Sequence, residues 1–263
     1  MFLVKKLLLT LVLRESRKSR ALPQAFVGFI FDYISIKSIL YGRFENLELD
    51  YLEQHVFPGL AERRYALDVG ANIGIHTISF SNHFQHVHAF EPHPLTFDVL
   101  SLNTRTMKNI TVHQMGASSE AFVARAVSVP GNIGAAHIVT DAEAVADTIG
   151  FACDRLDAML GDAVVPAVDF MKIDVEGHEL SALKGAEAIL AQSAPLIAFE
   201  LLRANTAEPG TELIRFLNER GYRYFYEIRR TLFGTRRLVA ITRFRNRNHK
   251  MVLAAKTPLN GSR

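Results

Sequence analysis

An open α/β sheet, mostly parallel and with helices on both faces, is the fold this sequence predicts, and three observations predict it. The first is a strand, glycine turn, helix and second strand between Tyr65 and Glu91. The second is the run of later strand-like segments, Ile110–Gln114, Asp169–Val175 and Ala194–Phe199, each separated from the next by helix-length sequence or by an excursion. The third is size: 263 residues suit one large α/β domain with appendages better than two domains. An apolar content of 49% with 22% charged residues supplies a globular core.

The opening unit carries the most information. Tyr65-Ala66-Leu67 reads as a buried strand ending at Asp68, and Val69-Gly70-Ala71-Asn72-Ile73-Gly74 is a tight turn. Helical sequence runs from Ile75 to about Asn82, and a second apolar run, Val87–Phe90, ends on Glu91-Pro92. Such a unit builds a nucleotide crevice: the turn admits a ligand to the backbone, and the acid after the second strand accepts ribose hydroxyls. A dinucleotide needs glycines spaced G-x-G-x-x-G, and with Gly70 as the middle one the other places hold Asp68 and Ile73. Asp68 would then meet a diphosphate. S-adenosylmethionine brings an ammonium, a sulfonium and one carboxylate instead. An acid at the strand end suits the cations, and helix-turn N–H groups near Gly74 suit the carboxylate.

The net charge of +3 conceals an uneven distribution. Residues 1–20 carry six Lys/Arg against one Glu and residues 223–250 nine against one, whereas residues 21–222 hold 13 basic and 25 acidic side chains. Basic ends of this kind either meet lipid headgroups or nucleic acid, or are plain solvated surface. Cys153 is the only cysteine, so neither an intrachain disulfide nor a thiolate zinc cluster can form, and a reducing, cytoplasmic compartment is expected. Cys153 itself reads as a small buried residue in an Ala-rich, helix-like stretch.

In chain order, Met1–Leu13 is too short an apolar run to span a bilayer, and Arg14-Glu15-Ser16-Arg17 stands where a signal peptide would be cleaved. The segment is expected to rest on the domain, to be disordered, or to lie as an in-plane anchor at a membrane surface. From Ala25 to Phe57 apolar residues recur at helical spacing around Phe29, Tyr33, Ile36 and Leu40, and Pro58-Gly59 stops them. Residues 1–57 therefore read as an N-terminal helical extension, and 58–263 as the main domain. A helix is expected from Pro94 through Met107 with Leu95, Val99 and Leu102 as its apolar stripe. Met115-Gly116-Ala117 ends the third strand, where small residues would admit an adenine ring. Residues 120–150 read as a hairpin or excursion over the cleft, with 141–149 a loop or short helix. Leu180–Gln192 and Thr211–Arg220 read as helices, and Tyr222–Ile228 and Lys250–Lys256 as the last two strands.

The fourth strand holds the second informative stretch. Lys172, Asp174 and Glu176 alternate along it and share a side, so the buried lysine has Asp174 as its local partner. Their place at a strand's carboxyl end favours a ligand site over a plain ion pair.

Taken together, these residues resemble the FkbM family of S-adenosylmethionine-dependent methyltransferases. The likeness rests on Leu67-Asp-Val-Gly-Ala-Asn-Ile-Gly74, on Ala89-Phe-Glu-Pro92, and on Met171-Lys-Ile-Asp-Val-Glu-Gly-His-Glu179 with Leu183-Lys-Gly-Ala186 after it and Arg155-Leu156-Asp157 ahead. It covers about residues 60–230. The resemblance implies a class I, Rossmann-like methyltransferase domain with a seven-stranded sheet. It also implies donor binding by Asp68, Gly70, Asn72, Gly74 and Glu91, and O-methylation of a sugar, glycan or macrocyclic natural product. Ala71, Pro92, Gly116 and Ala117 complete the expected donor pocket.

A hydroxyl acceptor calls for a general base at the cleft. Asp174 and Glu176 come first, then His178 and Glu200, with Lys172 holding Asp174. His76 and His93 read as structural histidines beside the donor turns. Asp174, Glu176 and Glu200 have the oxygen chemistry to hold a divalent ion instead, but no metal is assigned. An RNA ribose methyltransferase would share the donor fold and explain the basic ends. Base N-methylation is disfavoured because the fourth strand is followed by Asp174-Val-Glu-Gly177 and not by an (Asp/Asn)-Pro-Pro-aromatic run. A nicotinamide oxidoreductase is disfavoured by the missing glycines. The expected partner is a hydroxyl-bearing sugar, glycan or glycolipid, with peripheral membrane contact through the basic N-terminus and no nucleic acid favoured.

Overall fold

A computed structural model describes Thr10 and residues 26–29, 32–129, 132–139, 148–201, 208–230, 236–245 and 247–259. The expectations for Met1–Leu13, and most of the acidic stretch 141–149, lie outside the described residues.

Helix α1 (Tyr33–Tyr41) is capped by the Asp32 carboxylate, which accepts the Ser35 N–H, and it closes on Gly42. Helix α2 (Asn46–Tyr51) continues through a π-turn (Leu52–Val56) and a 3-10 turn (Phe57–Gly59). Next come β1 (Tyr65–Val69), α3 (Ile75–Ser81), β2 (His86–Phe90), α4 (Pro94–Thr104), β3 (Ile110–His113) and β4 (Gly116–Ala117). An excursion follows: β5 (Phe122–Val129), β6 (Asn132–Val139), β7 (Thr148–Asp154) and α5 (Leu156–Met159). The chain returns through β8 (Val168–Ile173), α6 (Glu179–Lys184), α7 (Glu187–Gln192), β9 (Leu196–Leu201) and α8 (Glu208–Glu219). It finishes with β10 (Tyr224–Arg230), β11 (Arg236–Ala240) and β12 (His249–Ala255).

The main sheet runs β11-β10-β12-β9-β8-β1-β2-β3. Strands β3, β2, β1, β8 and β9 are parallel, and β12 is antiparallel to both β9 and β10. This is the class I, Rossmann-like arrangement. The order reverses between β1 and β8, so a crevice opens at their carboxyl ends. Among the described residues, this sheet has eight strands where seven are expected. The extra one, β11, is an edge strand bonded to β10 alone. Its sequence, Arg-Arg-Leu-Val-Ala, buries only Leu238 and is too basic to read as strand. A second sheet, β4-β7-β5-β6, forms the expected excursion. Cys153 lies on strand β7 and not in helix-like sequence, and it is 3% exposed.

Alternation divides the main sheet's side chains between two cores. Leu67, Val69, Met171, Ile173, Ile197 and Phe199 point to the face covered by α6, α7 and α8. Ala66, Phe170 and Ala198 point to the other face, where Leu49, Leu52, Val56 and Phe57 pack against them with Phe80 and Phe84 from the α3 side. The residues before position 58 thus share a core with the sheet. Phe57 sits edge-on to Phe80, Phe84 and Phe170, with ring centroids 5.9, 5.1 and 5.1 Å away.

Three helix expectations need correction. On α1 the stripe turns outward: Tyr33, Ile36 and Leu40 are 57%, 41% and 38% exposed, while Ser35 and Ser38 are buried. On α4 the outward residues are Leu95 and Leu102, and the buried ones are Thr96, Leu100, Asn103 and Thr104. There the inward polar groups are satisfied locally. Asn103 receives the Val27 N–H and donates to the Val27 and Ile73 carbonyls. The single helix expected over Leu180–Gln192 is two, divided at Gly185-Ala186. A Cβ on Gly185 would fall 1.9 Å from the Ser118 carbonyl oxygen, so only glycine lets the chain pass there.

Candidate active site

The crevice at the reversal point holds a cleft with about 1050 Å³ of empty space, its open mouth included. The turn after β1 forms its floor. Gly70 and Gly74 take φ of +80° and +93°, and Asn72 takes +50°. The N–H groups of Gly70 and Ala71 both donate to the Phe90 carbonyl, at 3.0 and 2.9 Å, which locks the turn to the end of β2. Glu91, 6% exposed, accepts the Asn72 N–H on one oxygen and the His93 N–H on the other, each at 2.9 Å. Burial pushes its carboxyl up to about 7 despite those bonds.

The turn after β8 faces it. Glu176 (φ +53°) and Gly177 (φ +97°) bend the chain back, and the Glu179 carboxylate receives the N–H groups of Val175 and Gly177. Glu179 is therefore a structural brace. So is Asp157, whose two oxygens accept the Ala188 and Ile189 N–H groups at the start of α7.

Of the expected site residues, Gly70, Ala71, Asn72, Glu91, Pro92, Gly116, Ala117, Lys172, Asp174, Glu176 and His178 line the cleft. Asp68, Gly74 and Glu200 do not. Asp68 is fully buried one layer below the floor. There it accepts the Thr77 hydroxyl at 2.6 Å and lies 3.8 Å from Lys172 Nζ. Lys172 Nζ donates to Asp174 Oδ2 at 3.1 Å. Burial works against the Lys172 charge, but Asp174, Asp68 and Glu45 outweigh it and hold the ammonium above its ordinary range. Burial raises Asp174 less than Lys172 lowers it, so this carboxyl stays ionised below its usual range. Glu200 is lifted to about 8 by burial and by the neighbouring Asp174, Glu176, Glu179 and Glu45 carboxylates. Burial lowers His178, whose Nε2 pairs with the Ser118 hydroxyl at 3.1 Å.

Sequence reasoning missed several lining residues. Ile34, Phe44 and His76 come from the N-terminal layer and from α3, and Phe151 and Cys153 from the excursion. The motifs gave no signal for Ile34, Phe44, Phe151 and Cys153, because the segments carrying them arrive from elsewhere in the chain, while His76, just behind the glycine turn, read as a structural histidine. Gly116 backs onto Cys153, where a Cβ would fall 2.6 Å from the sulfur. Burial raises the Cys153 thiol to about 11, so it serves as wall and not as nucleophile. Among the described residues, no group of three or more His, Cys, Asp or Glu side chains converges to hold a metal.

The walls are apolar (Val69, Phe90, Met115, Ala117, Phe151) and carry three carboxyl groups (Glu91, Asp174, Glu176), while Lys172, the one lining Lys or Arg among the described residues, is already engaged by carboxylates. This chemistry suits a flat ring with a cationic tail better than a diphosphate.

Comparison with known proteins agrees with this chemistry. The profile of the Methyltransferase FkbM domain matches residues 68–224. Hexuronic acid methyltransferase AglP of Haloferax volcanii is 35% identical over 136 residues, 51% of this chain and 54% of that protein. Methyltransferase sdnD of Sordaria araneosa is 24% identical over 196 residues, 59% of this chain and 76% of that protein. The crystal structure of methyltransferase FkbM from Methylobacillus flagellatus KT is similar with a TM-score of 0.46 and 17% identity, over 87% of this chain and 56% of that one. The chain thus spans about half the length of AglP and of the Methylobacillus protein. The profile match takes in the floor turn, Glu91 and the whole Lys172–Glu179 stretch, and the chain belongs to the FkbM methyltransferase family.

Proposed function

We propose that this chain methylates a hydroxyl on a sugar, glycan or related small molecule, using S-adenosylmethionine. The observation that carries the reading is the cleft itself: apolar walls with an acidic rim and no free cation among its described lining residues. The similarity to a hexuronic acid methyltransferase supports a sugar acceptor. When bound, the donor supplies an electrophilic methyl group on a sulfonium.

The protein's own residues do the rest. Glu91 accepts ribose hydroxyls with the lone pairs that Asn72 and His93 leave free. Met115, Gly116 and Ala117 flank the base, and the turn Gly70–Gly74 receives the amino-acid end. Asp68 acts from beneath, with Thr77 and Lys172, as a fixed charge under that turn. Lys172 holds Asp174 in place at the rim, where Asp174 and Glu176 orient the acceptor hydroxyl. His178 lines the cleft beside them, and Glu200 stands behind these carboxylates without lining it. The test is to make Asp174→Asn and Glu176→Gln separately and follow S-adenosylhomocysteine release. If donor binding and turnover survive in both, the acceptor-side assignment is wrong.

Peripheral membrane contact belongs to the same reading. No helix among the described residues is long and apolar enough to cross a membrane. The basic first twenty residues and the outward stripe of α1 suit an in-plane contact with anionic headgroups. A salt-dependent RNA-binding assay tests the ribose-methylation alternative.

A further inference from the structure

We propose that His76, held by Glu45 of the N-terminal helical layer, takes the proton of the acceptor hydroxyl. The inference rests on the methyl-transfer reading above and assigns its missing base.

The acids already considered are poorly matched to that task. Asp174 is kept ionised by Lys172, which weakens it as a base. Both Glu91 oxygens are engaged by backbone N–H groups on the donor side. Glu200 does not line the cleft, and the His178 ring is tied to Ser118. Glu176 remains as the competing carboxylate.

His76 stands in the first turn of α3, two residues beyond Gly74, and lines the cleft. It is 7% exposed, and its Nε2 is sealed from solvent without a hydrogen bond. That nitrogen lies 3.2 Å from Glu45 Oε2, at the separation of an ion pair should the ring gain a proton. A buried imidazole without an aligned partner is costly in a purely structural role. Glu45 adds an independent sign. It takes φ +50°, a left-handed backbone that a glutamate rarely adopts, and its charge also reaches Lys172 and Glu200. The strained turn between α1 and α2 thus delivers one carboxylate to His76, behind the cleft wall. Among the described residues, Glu45 from the helical layer and Asp174 from the turn after β8 interact with His76, and the Lys172 ammonium of β8 stands beside both carboxylates. The Phe80 ring packs one turn further on, at a centroid distance of 6.0 Å. The two carboxylates carry the sign that suits an imidazolium formed during proton transfer, and Lys172 partly offsets them.

The step balances as follows. The acceptor oxygen forms its bond to the methyl carbon, and the carbon–sulfur bond breaks with its electron pair going to sulfur. The hydroxyl proton passes to the imidazole, whose other nitrogen faces Glu45, and leaves later to solvent. His76 would be the catalytic residue and Glu45 its positioning partner.

The test compares wild type with His76→Gln, His76→Asn, Glu45→Gln and Glu176→Gln. Acceptors are p-nitrophenyl β-D-glucuronide and p-nitrophenyl β-D-glucoside, and S-adenosylhomocysteine release is the signal. Wild-type kcat/KM should rise with pH along an imidazole limb. Both His76 variants should lose that limb and fall about 10²–10⁴-fold, with the calorimetric Kd for S-adenosylmethionine within about threefold of wild type. Glu45→Gln should move the limb to lower pH. Independently of whether either glycoside is a substrate, the His76 ring is also titrated by NMR with S-adenosylhomocysteine bound, and Glu45→Gln should lower its midpoint. The proposal is overturned if His76→Gln weakens donor binding at unchanged kcat, if only Glu176→Gln removes the limb, or if Glu45→Gln leaves the imidazole titration unmoved. A wild-type protein that binds neither S-adenosylmethionine nor S-adenosylhomocysteine would instead refute the methyl-transfer reading.

Discussion

The carbonyl oxygen of Asp174 occupies the place where a side chain on Gly70 would have to sit: a Cβ built there falls 1.9 Å from it. The turns after β1 and β8 are thus interlocked, and the Asp174 N–H donates to the Val69 carbonyl at 2.9 Å to complete the seam. These two loops cannot shift independently. Gly70→Ala combines a left-handed backbone with a clash against another main chain. It should cost roughly 2–5 kcal/mol, lowering Tm by roughly 5–15 °C in a domain of this size. Scanning calorimetry measures it, and a wild-type melt would show that the turns do not meet.

Lys172 is the second joint. It bridges Asp68 beneath the floor and Asp174 at the rim, and Asp68 is fully buried with Oδ1 lacking a hydrogen bond. Lys172→Met strands that carboxylate and should cost about 3–5 kcal/mol. Adding Asp68→Asn should recover part of the loss, because the stranded charge goes with it. Urea denaturation of the two single variants and the double gives the coupling. Strict additivity would mean that the pair is not an ion pair in solution.

These joints were legible in the sequence to different degrees. The strand, turn, helix and strand around Gly70 announced the crevice, since a ligand-binding turn needs glycine where the backbone is left-handed. The Lys172–Asp174 pair was legible because strand alternation puts the two side chains on one side. Periodicity failed on α1 and α4 for one reason: it reports a stripe but not which way the stripe faces. Ser35, Ser38 and Thr104 turn inward because local hydrogen bonds satisfy them, and Asn103 because the distant Val27 and Ile73 backbones do. Asp68 read as a lining residue because strand-end acids usually are, yet the cleft floor passes above it. His76 read as a structural histidine, since its contact with Glu45, 31 positions earlier, lies beyond any local spacing rule.

Glu200 should make stability depend on pH. Its folded carboxyl titrates at about 8, against an ordinary value of 4.5, through burial and four neighbouring carboxylates. Below 4.5 both folded and unfolded chains hold the proton and the group is neutral in its effect. Between 4.5 and 8 the unfolded chain releases it first, so stability falls as pH rises, and above 8 the loss is complete. Glu200→Gln removes the ionisation. Its melting temperature should match wild type near pH 4.5 and exceed it at pH 8.5. Thermal melts across this range decide the matter, and a difference that does not grow with pH would refute the crowding of these carboxylates.

The outward face of α1 should govern membrane contact. Tyr33, Ile36, Leu40 and Tyr41 are all exposed there, and the Lys37 ammonium lies 5.3 and 5.0 Å from the two tyrosine rings. Aromatic and aliphatic side chains beside one long cationic stem suit the headgroup boundary, where the stem keeps its charge in water. Phe44, which packs edge-on to Tyr33, lines the cleft, so docking through this face would present the cleft mouth to the bilayer surface. Burying each large side chain contributes about 1.5–3 kcal/mol when complete, and an interfacial contact realises only part of that. Tyr33→Ser, Ile36→Ser and Leu40→Ser together should therefore weaken partition into vesicles containing phosphatidylglycerol by about 10–100-fold. Raised salt should weaken it further, through the basic residues at positions 1–20. Vesicle co-sedimentation of the full chain reads both effects. Unchanged partition in the triple variant would assign the contact to the N-terminal segment alone, and no partition in wild type would remove the membrane from the account.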